Sequence, residues 1–277
     1  MIPQRNLSLL SNRLARMGGR RIPESILERD YCIAWFLVGL SHSPLKNTLI
    51  FKGGTAIKKC YFPDYRFSED LDFTLNENTS IEQIQNDLAS AFQYVEKSSG
   101  IRLRFNRYDL HTHENSHTFF LGYEGPLPGA TGKEVKVDIT IQEKIVFPVN
   151  ERVILKTYDE YEDLPEDAKI LAYDLNEIVA EKVIALVDRA RNEPRDLYDI
   201  WYLTANKYVN LTELVEPVAI KAKFRGKEST GFREKFIGKK ARLKRLWGIR
   251  LASQMTVLPE FEQVYRTVLR ELRKAGF

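Results

Sequence analysis

Apolar positions recur with two different periods along this chain, and the pattern changes near residue 160. Before that point, segments with alternating apolar residues predict strands, and segments with apolar residues three or four apart predict helices. The predicted strands are 48–52, 67–75, 101–109, 117–123 and 134–147, and the predicted helices are 24–41, 54–60 and 80–98. After residue 160 the pattern favours helices only, at 174–191, 195–206, 211–223, 232–245 and 258–275. We therefore expect an α/β domain with a mixed sheet over 1–160 and an α-helical domain over 161–277.

Two aspartates share one face of the predicted strand at 67–75. Leu71 and Phe73 alternate with Asp70 and Asp72, so both carboxylates project from the same side, about 6–7 Å apart along the strand. The segment EVKVDITI at 134–141 places Asp138 on the polar face of a second strand in the same way. An Asp-x-Asp pair alone is most often a solvated strand face. With the second-strand aspartate, we expect a site for a hard divalent ion.

A glycine pair precedes these carboxylates. Gly53, Gly54 and Thr55 lie between the predicted strand and the predicted helix at 54–60. Backbone N–H groups and a helix N-terminus at such a position can hold phosphate oxygens. The Walker pattern is absent, and two glycines alone can equally form an ordinary tight turn.

Three segments together resemble a known family. They are FKGGTAIKKCYFPDYRFSEDLDF, EVKVD and EKVIALVDRARNEPRDLYDIW, and the resemblance covers roughly residues 24–205. In order and spacing they are similar to the AbiEii, or MenT-like, nucleotidyltransferase toxins of abortive-infection systems, which belong to the DNA polymerase β-like superfamily. The resemblance implies a polymerase-β-like nucleotidyltransferase core over the first domain.

The same resemblance implies roles for the residues of these segments. Asp70 and Asp72 are expected to bind Mg²⁺ or Mn²⁺, with Asp138 as a third metal ligand or as the general base. The triphosphate of an NTP is expected to contact the glycine turn and a nearby hydroxyl, which assigns nucleotide binding to Gly53, Gly54, Thr55 and Ser68. Thr55 stands where many members have serine, and the hydroxyl is kept.

A lysine interrupts the apolar stripe of the predicted helix at 174–191. Lys182 lies between Ile178 and Leu186, so its ammonium group must reach solvent or meet an anion. Asp196 and Asp199 are neighbours at i,i+3 in the next helix and are ordinary surface acids on their own. The resemblance implies that Lys182 binds the nucleotide phosphates, with Asp196 in nucleotide binding and Asp199 in catalysis.

Charge is divided unevenly along the chain. The whole chain carries a net charge of +4, whereas residues 219–277 contain 16 Lys and Arg against 5 Asp and Glu, a net charge of +11. Such a basic segment can attract a polyanion through counterion release, although a solvated helix face has the same composition. We predict nucleic-acid contacts at Lys239, Lys240, Arg242, Lys244 and Arg245.

Other features argue for a cytoplasmic protein without a membrane partner. Cys32 and Cys60 are too few for a disulfide framework, and no signal-peptide pattern is evident. The longest apolar run, 31–40, is about half of the roughly 20 residues that a membrane span needs. His111, His113 and His117 lack accompanying ligands at a zinc spacing, so we expect exposed strand histidines.

Together these features predict a Mg-dependent nucleotidyltransferase toxin that transfers a nucleoside monophosphate from an NTP to an acceptor. By resemblance, the acceptor is the 3′ end of tRNA and a cognate antitoxin exists. NTP and Mg²⁺ are expected in a cleft between the two domains. Two alternatives remain: the same chemistry on a protein acceptor, and a non-catalytic nucleic-acid-binding protein on the same scaffold. The intact acidic and lysine positions argue against the second alternative.

Overall fold

The computed structural model describes residues 1–17, 19–110, 114–129, 132–188, 190–228 and 230–277. They form two compact units. The first contains residues 1–142 and 149–173, and the second contains residues 143–148 and 174–277. The sequence-based boundary after residue 160 thus lies within the second segment of the first unit. Every helix among the described residues is too short or too polar to cross a membrane.

A mixed sheet forms the centre of the first unit. Its strands, seven among the described residues, are β1 Leu49–Lys52, β2 Leu71–Leu75, β3 Arg102–Tyr108, β4 Ser116–Glu124, β5 Glu134–Thr140, β6 Asn150–Val153 and β7 Lys169–Ala172. Their order across the sheet is β3-β4-β5-β2-β1-β7-β6. The pairs β2–β5 and β1–β7 are parallel, and the other neighbours are antiparallel. The strand with the Asp-x-Asp segment, β2, therefore occupies the middle of the sheet.

The helices of the first unit are α1 Gln4–Arg16, α2 Glu24–Ser41, α3 Leu45–Thr48, α4 Gly53–Ala56 and α5 Ile81–Ser99. A π-helical turn, Ile57–Tyr61, continues directly from α4. Ser80 caps α5 by accepting a hydrogen bond from the Gln83 amide, and the helix ends at Gly100. Gly39 of α2 packs against α5, because a Cβ there would lie 2.8 Å from the Ala91 carbonyl oxygen. This close approach lets α2 bury nearly all of its surface.

The second unit is helical. Its helices are α6 Leu175–Val187, α7 Pro194–Ala205, α8 Val215–Phe224, α9 Phe232–Gly238, α10 Lys240–Leu251 and α11 Phe261–Ala275, with a 3₁₀ turn at Leu211–Leu214. Asp174 caps α6 by accepting a hydrogen bond from the Asn176 amide at 2.8 Å. Pro194 occupies the first turn of α7, where its missing N–H is not needed.

Residues 143–148 belong to the second unit because buried polar contacts hold them there. The amides of Val146 and Phe147 both donate to the Glu177 Oε2 atom at 2.9 Å. Lys221, which is fully buried, donates to the Lys144 carbonyl oxygen at 2.8 Å and pairs with Glu143 and Glu177. Each of these polar groups would be costly to bury without its partner. Segment 143–148 and the helices α6 and α8 therefore stabilise one another.

The predicted α/β fold with a helical C-terminal part is confirmed, and several boundaries are corrected. Helix 24–41 is confirmed as α2, whereas α1, β6 and β7 were not predicted. The strand predicted at 134–147 ends at Thr140, and the helix predicted at 174–191 ends at Val187. The helix predicted at 232–245 is two helices, α9 and α10, which meet at Lys239.

Candidate active site

Two carboxylates lie side by side at the centre of the sheet. Asp72 of β2 and Asp138 of β5 are register partners on adjacent parallel strands. Leu71 and Phe73 are buried on the opposite face of β2, so both carboxylates are on the half-exposed face. Asp70 precedes β2 by one residue, in phase with Asp72. The structure thus brings Asp72 and Asp138 together on adjacent strands, and Asp70 lies two residues before Asp72.

Neighbouring side chains orient Asp138. Thr118 is its register partner on β4, and the Thr118 hydroxyl donates to the Asp138 Oδ1 atom at 2.8 Å. The Lys136 ammonium group lies 3.7 Å from the Oδ2 atom of the same carboxylate. One oxygen is therefore fixed by a neutral hydrogen bond, while a mobile surface cation lies near the other.

The glycine turn follows β1 and lies against these acids. Gly53 has a φ of 77°, and a Cβ there would lie 2.5 Å from the Asp72 Oδ2 atom. A Cβ on Gly54 would lie 2.6 Å from the Arg66 Nη2 atom and 3.4 Å from the Ser68 Oγ atom. At Gly53 the backbone conformation also disfavours a side chain, whereas a side chain at Gly54 would have to displace the end of Arg66. The backbone amides of the turn are thereby brought close to Asp72, Arg66 and Ser68.

The hydroxyl of Thr55 is directed to the backbone of a candidate metal ligand. Thr55 is buried, and its Oγ1 atom donates to the Asp70 carbonyl oxygen. This contact fixes the chain just before β2 begins. The sequence-based assignment of Thr55 to nucleotide binding remains a prediction, and the observed contact favours a positioning role.

Two cations near the acids were not singled out from the sequence. Lys52 is the register partner of Asp72 on β1, and its ammonium group donates to the Thr140 hydroxyl at 2.9 Å. Arg66 is buried and donates to the Phe67 carbonyl oxygen at 3.2 Å. In the sequence both residues look like ordinary surface cations. The available signal was that Lys52 directly precedes the glycine pair and that Arg66 lies just before Ser68.

The π-helical turn buries a lysine that holds the loop leading to Ser68. The Lys58 ammonium group donates to the Pro63 and Tyr65 carbonyl oxygens at 3.0 and 3.1 Å and to the Tyr158 hydroxyl at 3.2 Å. Burial lowers the pKa of Lys58 to about 8. Single π turns are frequent at functional sites, and Lys58 lies within this one.

The donor set at β2 and β5 suits a divalent metal ion. Asp70, Asp72 and Asp138 offer only carboxylate oxygens, which Mg²⁺ and Mn²⁺ prefer. Two of the three are adjacent in register, and the space beside Asp72 is one that a Cβ would fill. In the described part of the chain, no three His, Cys, Asp or Glu side chains already form a group that could hold a metal ion. The residues therefore fit such an ion by the chemistry of their oxygen ligands and by their positions on adjacent strands, although they do not form a preorganised coordination site.

Lys182, Asp196 and Asp199 form a buried cluster in the second unit. The Lys182 Nζ atom lies 3.0 Å from Asp196 Oδ1 and 2.6 Å from Asp199 Oδ2. Arg191 contacts the other oxygen of Asp196 at 2.8 Å. Burial by itself raises the pKa of Asp196, but the charges of Lys182 and Arg191 outweigh it, so this pKa lies below its usual range. The lysine on the apolar stripe therefore meets anions, and the cluster joins α6 to α7.

The five basic residues predicted to contact nucleic acid have different surroundings. Lys239 is buried, and its ammonium group donates to the carbonyl oxygens of Leu186, Asp188 and Arg191 at 2.6, 2.6 and 2.5 Å. It thus caps the C-terminal end of α6, and burial lowers its pKa. Lys240 and Lys244 both pair with Glu262 at 2.9 Å, while Arg242 and Arg245 are exposed.

Of the three histidines considered in the sequence, the structure describes only His117. His117 lies on β4 and is half-buried, and burial lowers its pKa. His111 and His113 lie outside the described residues.

Comparison with known proteins agrees with this architecture. The family model described as nucleotidyl transferase AbiEii toxin, type IV toxin–antitoxin system, matches residues 35–272. The solved structure of MenT4, a nucleotidyltransferase toxin from Mycobacterium tuberculosis H37Rv, matches with a TM-score of 0.60 at 14% identity, covering 97% of this chain and 89% of that chain. At this identity the likeness supports the fold. Curated protein sequences give no significant match. Since the family model matches most of its length, this chain belongs to the AbiEii family of nucleotidyltransferase toxins of type IV toxin–antitoxin systems.

Proposed function

We propose that this toxin transfers a nucleoside monophosphate from an NTP to the 3′-terminal hydroxyl of a tRNA. The observation that carries the proposal is the pairing of Asp72 with Asp138 beside the glycine turn. Acids and phosphate-binding amides within one short region of a sheet are what nucleotidyl transfer requires. The modified tRNA end then blocks aminoacylation, and growth stops until a cognate antitoxin counteracts the toxin.

The chain's own groups divide the work of binding. The amides of Gly53 and Gly54 and the hydroxyl of Ser68 bind the triphosphate, and Lys52 and Arg66 add positive charge beside it. Asp70, Asp72 and Asp138 hold Mg²⁺ or Mn²⁺, which, when bound, neutralises charge on the phosphates and stabilises the leaving group. Thr55 and Thr118 position Asp70 and Asp138 through their hydroxyl contacts.

The transfer is a substitution at the α-phosphorus. The 3′-hydroxyl oxygen of the RNA forms a bond to this phosphorus, and the bond to the oxygen bridging the α- and β-phosphates breaks. The leaving pyrophosphate takes the electron pair, and Asp138 accepts the proton of the attacking hydroxyl. The hydrogen bond from Thr118 fixes the orientation of the Asp138 carboxylate for this step.

Lys182, Asp196 and Asp199 have a different primary role in this proposal. Their mutual contacts brace α6 against α7. Contact of Lys182 and Asp196 with the nucleotide and a catalytic role of Asp199 stay predictions, which substitutions that separate stability from activity will test.

The test measures transfer of label. The wild type, Asp70→Ala and Asp167→Ala are incubated with each α-³²P-labelled NTP, Mg²⁺ and total cellular RNA, and the products are resolved on a denaturing gel. Asp167 is an exposed aspartate in the first unit and serves as the matched control. We expect one NTP to label a tRNA-sized band with the wild type and Asp167→Ala, and none with Asp70→Ala.

Two other outcomes would replace the proposal. Label that resists ribonuclease and is removed by protease would identify a protein acceptor. Absence of label with every NTP, together with RNA binding by the wild type and Asp70→Ala alike, would support a non-catalytic nucleic-acid-binding protein.

A further inference from the structure

A basic groove of about 860 Å³ lies between α9 and α11 in the second unit. Its apolar lining consists of Ile237 and Leu269. The other lining residues are all cations: Arg233, Arg266, Arg270, Arg273 and Lys274. None of these residues is among the five, Lys239, Lys240, Arg242, Lys244 and Arg245, that the sequence suggested as a nucleic-acid contact.

Three of the arginines form a row along α11. Arg266, Arg270 and Arg273 are spaced at i, i+4 and i+7, so they share one face and span about 10 Å along the axis. The opposite face of α11 carries the buried residues Val264 and Val268. Because packing occupies that face, the guanidinium groups are left on the outer, exposed side.

The charge of the groove is only partly compensated. Arg233 and Arg270 each pair with the next residue in the chain, Glu234 and Glu271, at 3.0 and 3.3 Å. Such surface pairs are weak and are screened by salt. The Arg266 Nε atom donates to the Glu262 carbonyl oxygen, and within the described ranges no carboxylate forms an ion pair with Arg266.

The last turn of α11 adds two further cations. Among the residues that the structure describes, no carboxylate lies within ion-pair distance of Arg273 or Lys274. Five cations thus face two weakly bound carboxylates, and the groove as a whole is strongly positive.

Guanidinium groups match phosphate in shape as well as charge. Arginine presents a planar fork of donors that binds phosphate oxygens bidentately, and four of the five cations here are arginines. An RNA strand offers phosphates in a row, and binding gains further from counterion release. By contrast, Lys239, at the start of α10, is engaged with backbone carbonyls, and Lys240 and Lys244 of α10 are paired with Glu262.

We propose that the groove between α9 and α11 binds the phosphate backbone of the RNA acceptor, through residues other than those assigned to transfer. This inference rests on the proposed function, since it assigns the acceptor of that reaction to a surface. An acidic peptide could bind the same positive charges, and the test below includes binding of such a peptide as an alternative outcome.

The test separates RNA binding from transfer. Fluorescence anisotropy with a fluorescein-labelled tRNA transcript is measured between 50 and 200 mM KCl for the full-length protein. The groove variant combines Arg266→Gln, Arg270→Gln and Arg273→Gln. The α10 variant combines Arg242→Gln, Arg245→Gln and Arg250→Gln. A control variant removes the same number of positive charges from the first unit by combining Arg5→Gln, Arg16→Gln and Lys97→Gln. All nine residues are exposed, so each variant should keep the melting temperature of the wild type.

We expect the groove variant alone to bind the transcript about 10–100-fold more weakly at 100 mM KCl. The slope of log affinity against log salt concentration should fall by about 2–3, because about 0.7–0.9 is lost for each phosphate contact removed. At saturating RNA its transfer rate should match the wild type, with a raised KM for RNA. An unchanged affinity and slope, or an equal or larger loss in the α10 variant, would overturn the proposal. Loss of binding to fluorescein-labelled poly-glutamate with tRNA binding intact would assign the groove to an acidic peptide instead.

The two proposals fail in different ways. Asp70→Ala should bind the transcript as tightly as the wild type while transferring no nucleotide. If no form of the protein transfers label but the groove variant still loses RNA affinity, the proposed reaction is wrong and the groove assignment stands. If label is transferred to tRNA and the groove variant binds RNA normally, the groove assignment is wrong and the proposed reaction stands.

Discussion

Gly53 lies so close to Asp72 that a single added carbon would come within 2.5 Å of the Asp72 Oδ2 atom. The turn that we assign to phosphate binding and the carboxylate that we assign to metal binding therefore share one small space. Any side chain at residue 53 must displace Asp72, the backbone of the turn, or both.

Gly53→Ala should abolish nucleotidyl transfer, for two reasons that a control can separate. The positive φ of residue 53 disfavours alanine, which by itself costs about 1 kcal/mol, and the new Cβ also displaces Asp72. Gly129→Ala is the matched control, since its φ of 74° imposes similar strain and no atom lies within 4 Å of the added Cβ. Urea unfolding should give both variants similar losses of stability, while the labelling assay should detect activity only in Gly129→Ala. Full activity of Gly53→Ala would show that the turn does not contact the nucleotide.

Asp138 and Thr118 should differ in how much their loss reduces activity. Asp138→Asn removes a proposed ligand and proton acceptor, and we expect the transfer rate to fall by more than ~100-fold, since loss of a supporting group alone costs about 10–100-fold. Thr118→Val removes the hydrogen bond to Asp138 Oδ1 and a 3.5 Å contact with the Ser116 hydroxyl. A decrease of about 10-fold in kcat is expected, with KM for the NTP little changed.

Two controls accompany this comparison. Asp87→Asn, on the surface of α5, should leave the rate unchanged, and Thr118→Ser should restore most of the loss because it keeps the hydroxyl. If Thr118→Val lowered stability and rate in proportion, and Thr118→Ser failed to restore the rate, the hydroxyl would have no positioning role.

Local patterns were enough to predict the central strands and the acids on them. The alternation of apolar residues in LDFTL and EVKVDIT predicted which residues face the core, and it placed Asp72 and Asp138 on polar faces. The adjacency of β2 and β5 was beyond such reasoning, because strand order depends on tertiary pairing between segments more than 60 residues apart. Strands β6 and β7 were missed; β6, with the sequence NERV, carries a single apolar residue and shows no period of two.

The basic C-terminal residues illustrate what charge counting cannot distinguish. A sequence does not tell a lysine that hydrogen-bonds to buried carbonyls from one that faces solvent, and Lys239 was grouped with Arg242 for that reason. The groove between α9 and α11 also joins residues from separate segments of the chain, so no local stretch of sequence indicated it.

Lys239 should behave as a structural residue. Lys239→Met leaves three carbonyl oxygens at the end of α6 without their donor, and we expect the free energy of unfolding to fall by about 2 kcal/mol. Lys240→Met, which removes a surface pair with Glu262, should cost less than about 1 kcal/mol. Urea unfolding provides the comparison, and tRNA anisotropy below the unfolding range should be the same for Lys239→Met and the wild type. A stable Lys239→Met protein with weakened RNA binding would instead support the nucleic-acid contact predicted from the sequence.

Lys182→Met should destabilise the second unit in a pH-dependent manner. In the wild type the pKa of Asp196 lies below its usual value, so the cluster stabilises the fold fully above about pH 4 and this contribution is lost as the pH falls further. Without the ammonium group, Asp196 and Asp199 are two buried carboxylates that have lost the cation they share, and their pKa values should rise above the unfolded-state value. The variant then loses stability as the pH rises through those pKa values. We expect a deficit of about 3 kcal/mol at pH 7 that becomes smaller at pH 5.

Urea unfolding at both pH values tests this for three variants. Lys182→Arg keeps the charge and should recover most of the stability, and Lys223→Met, at an exposed site on α8, should stay within about 0.5 kcal/mol of the wild type. A deficit of the same size at pH 5 and pH 7 would contradict the expected titration of the two acids. If Lys182→Arg were as stable as the wild type and yet inactive in the labelling assay, the lysine would be required for the reaction itself, as the family resemblance implies. If Lys182→Met, assayed under conditions in which it is folded, were active, the cluster would be a brace between α6 and α7 alone.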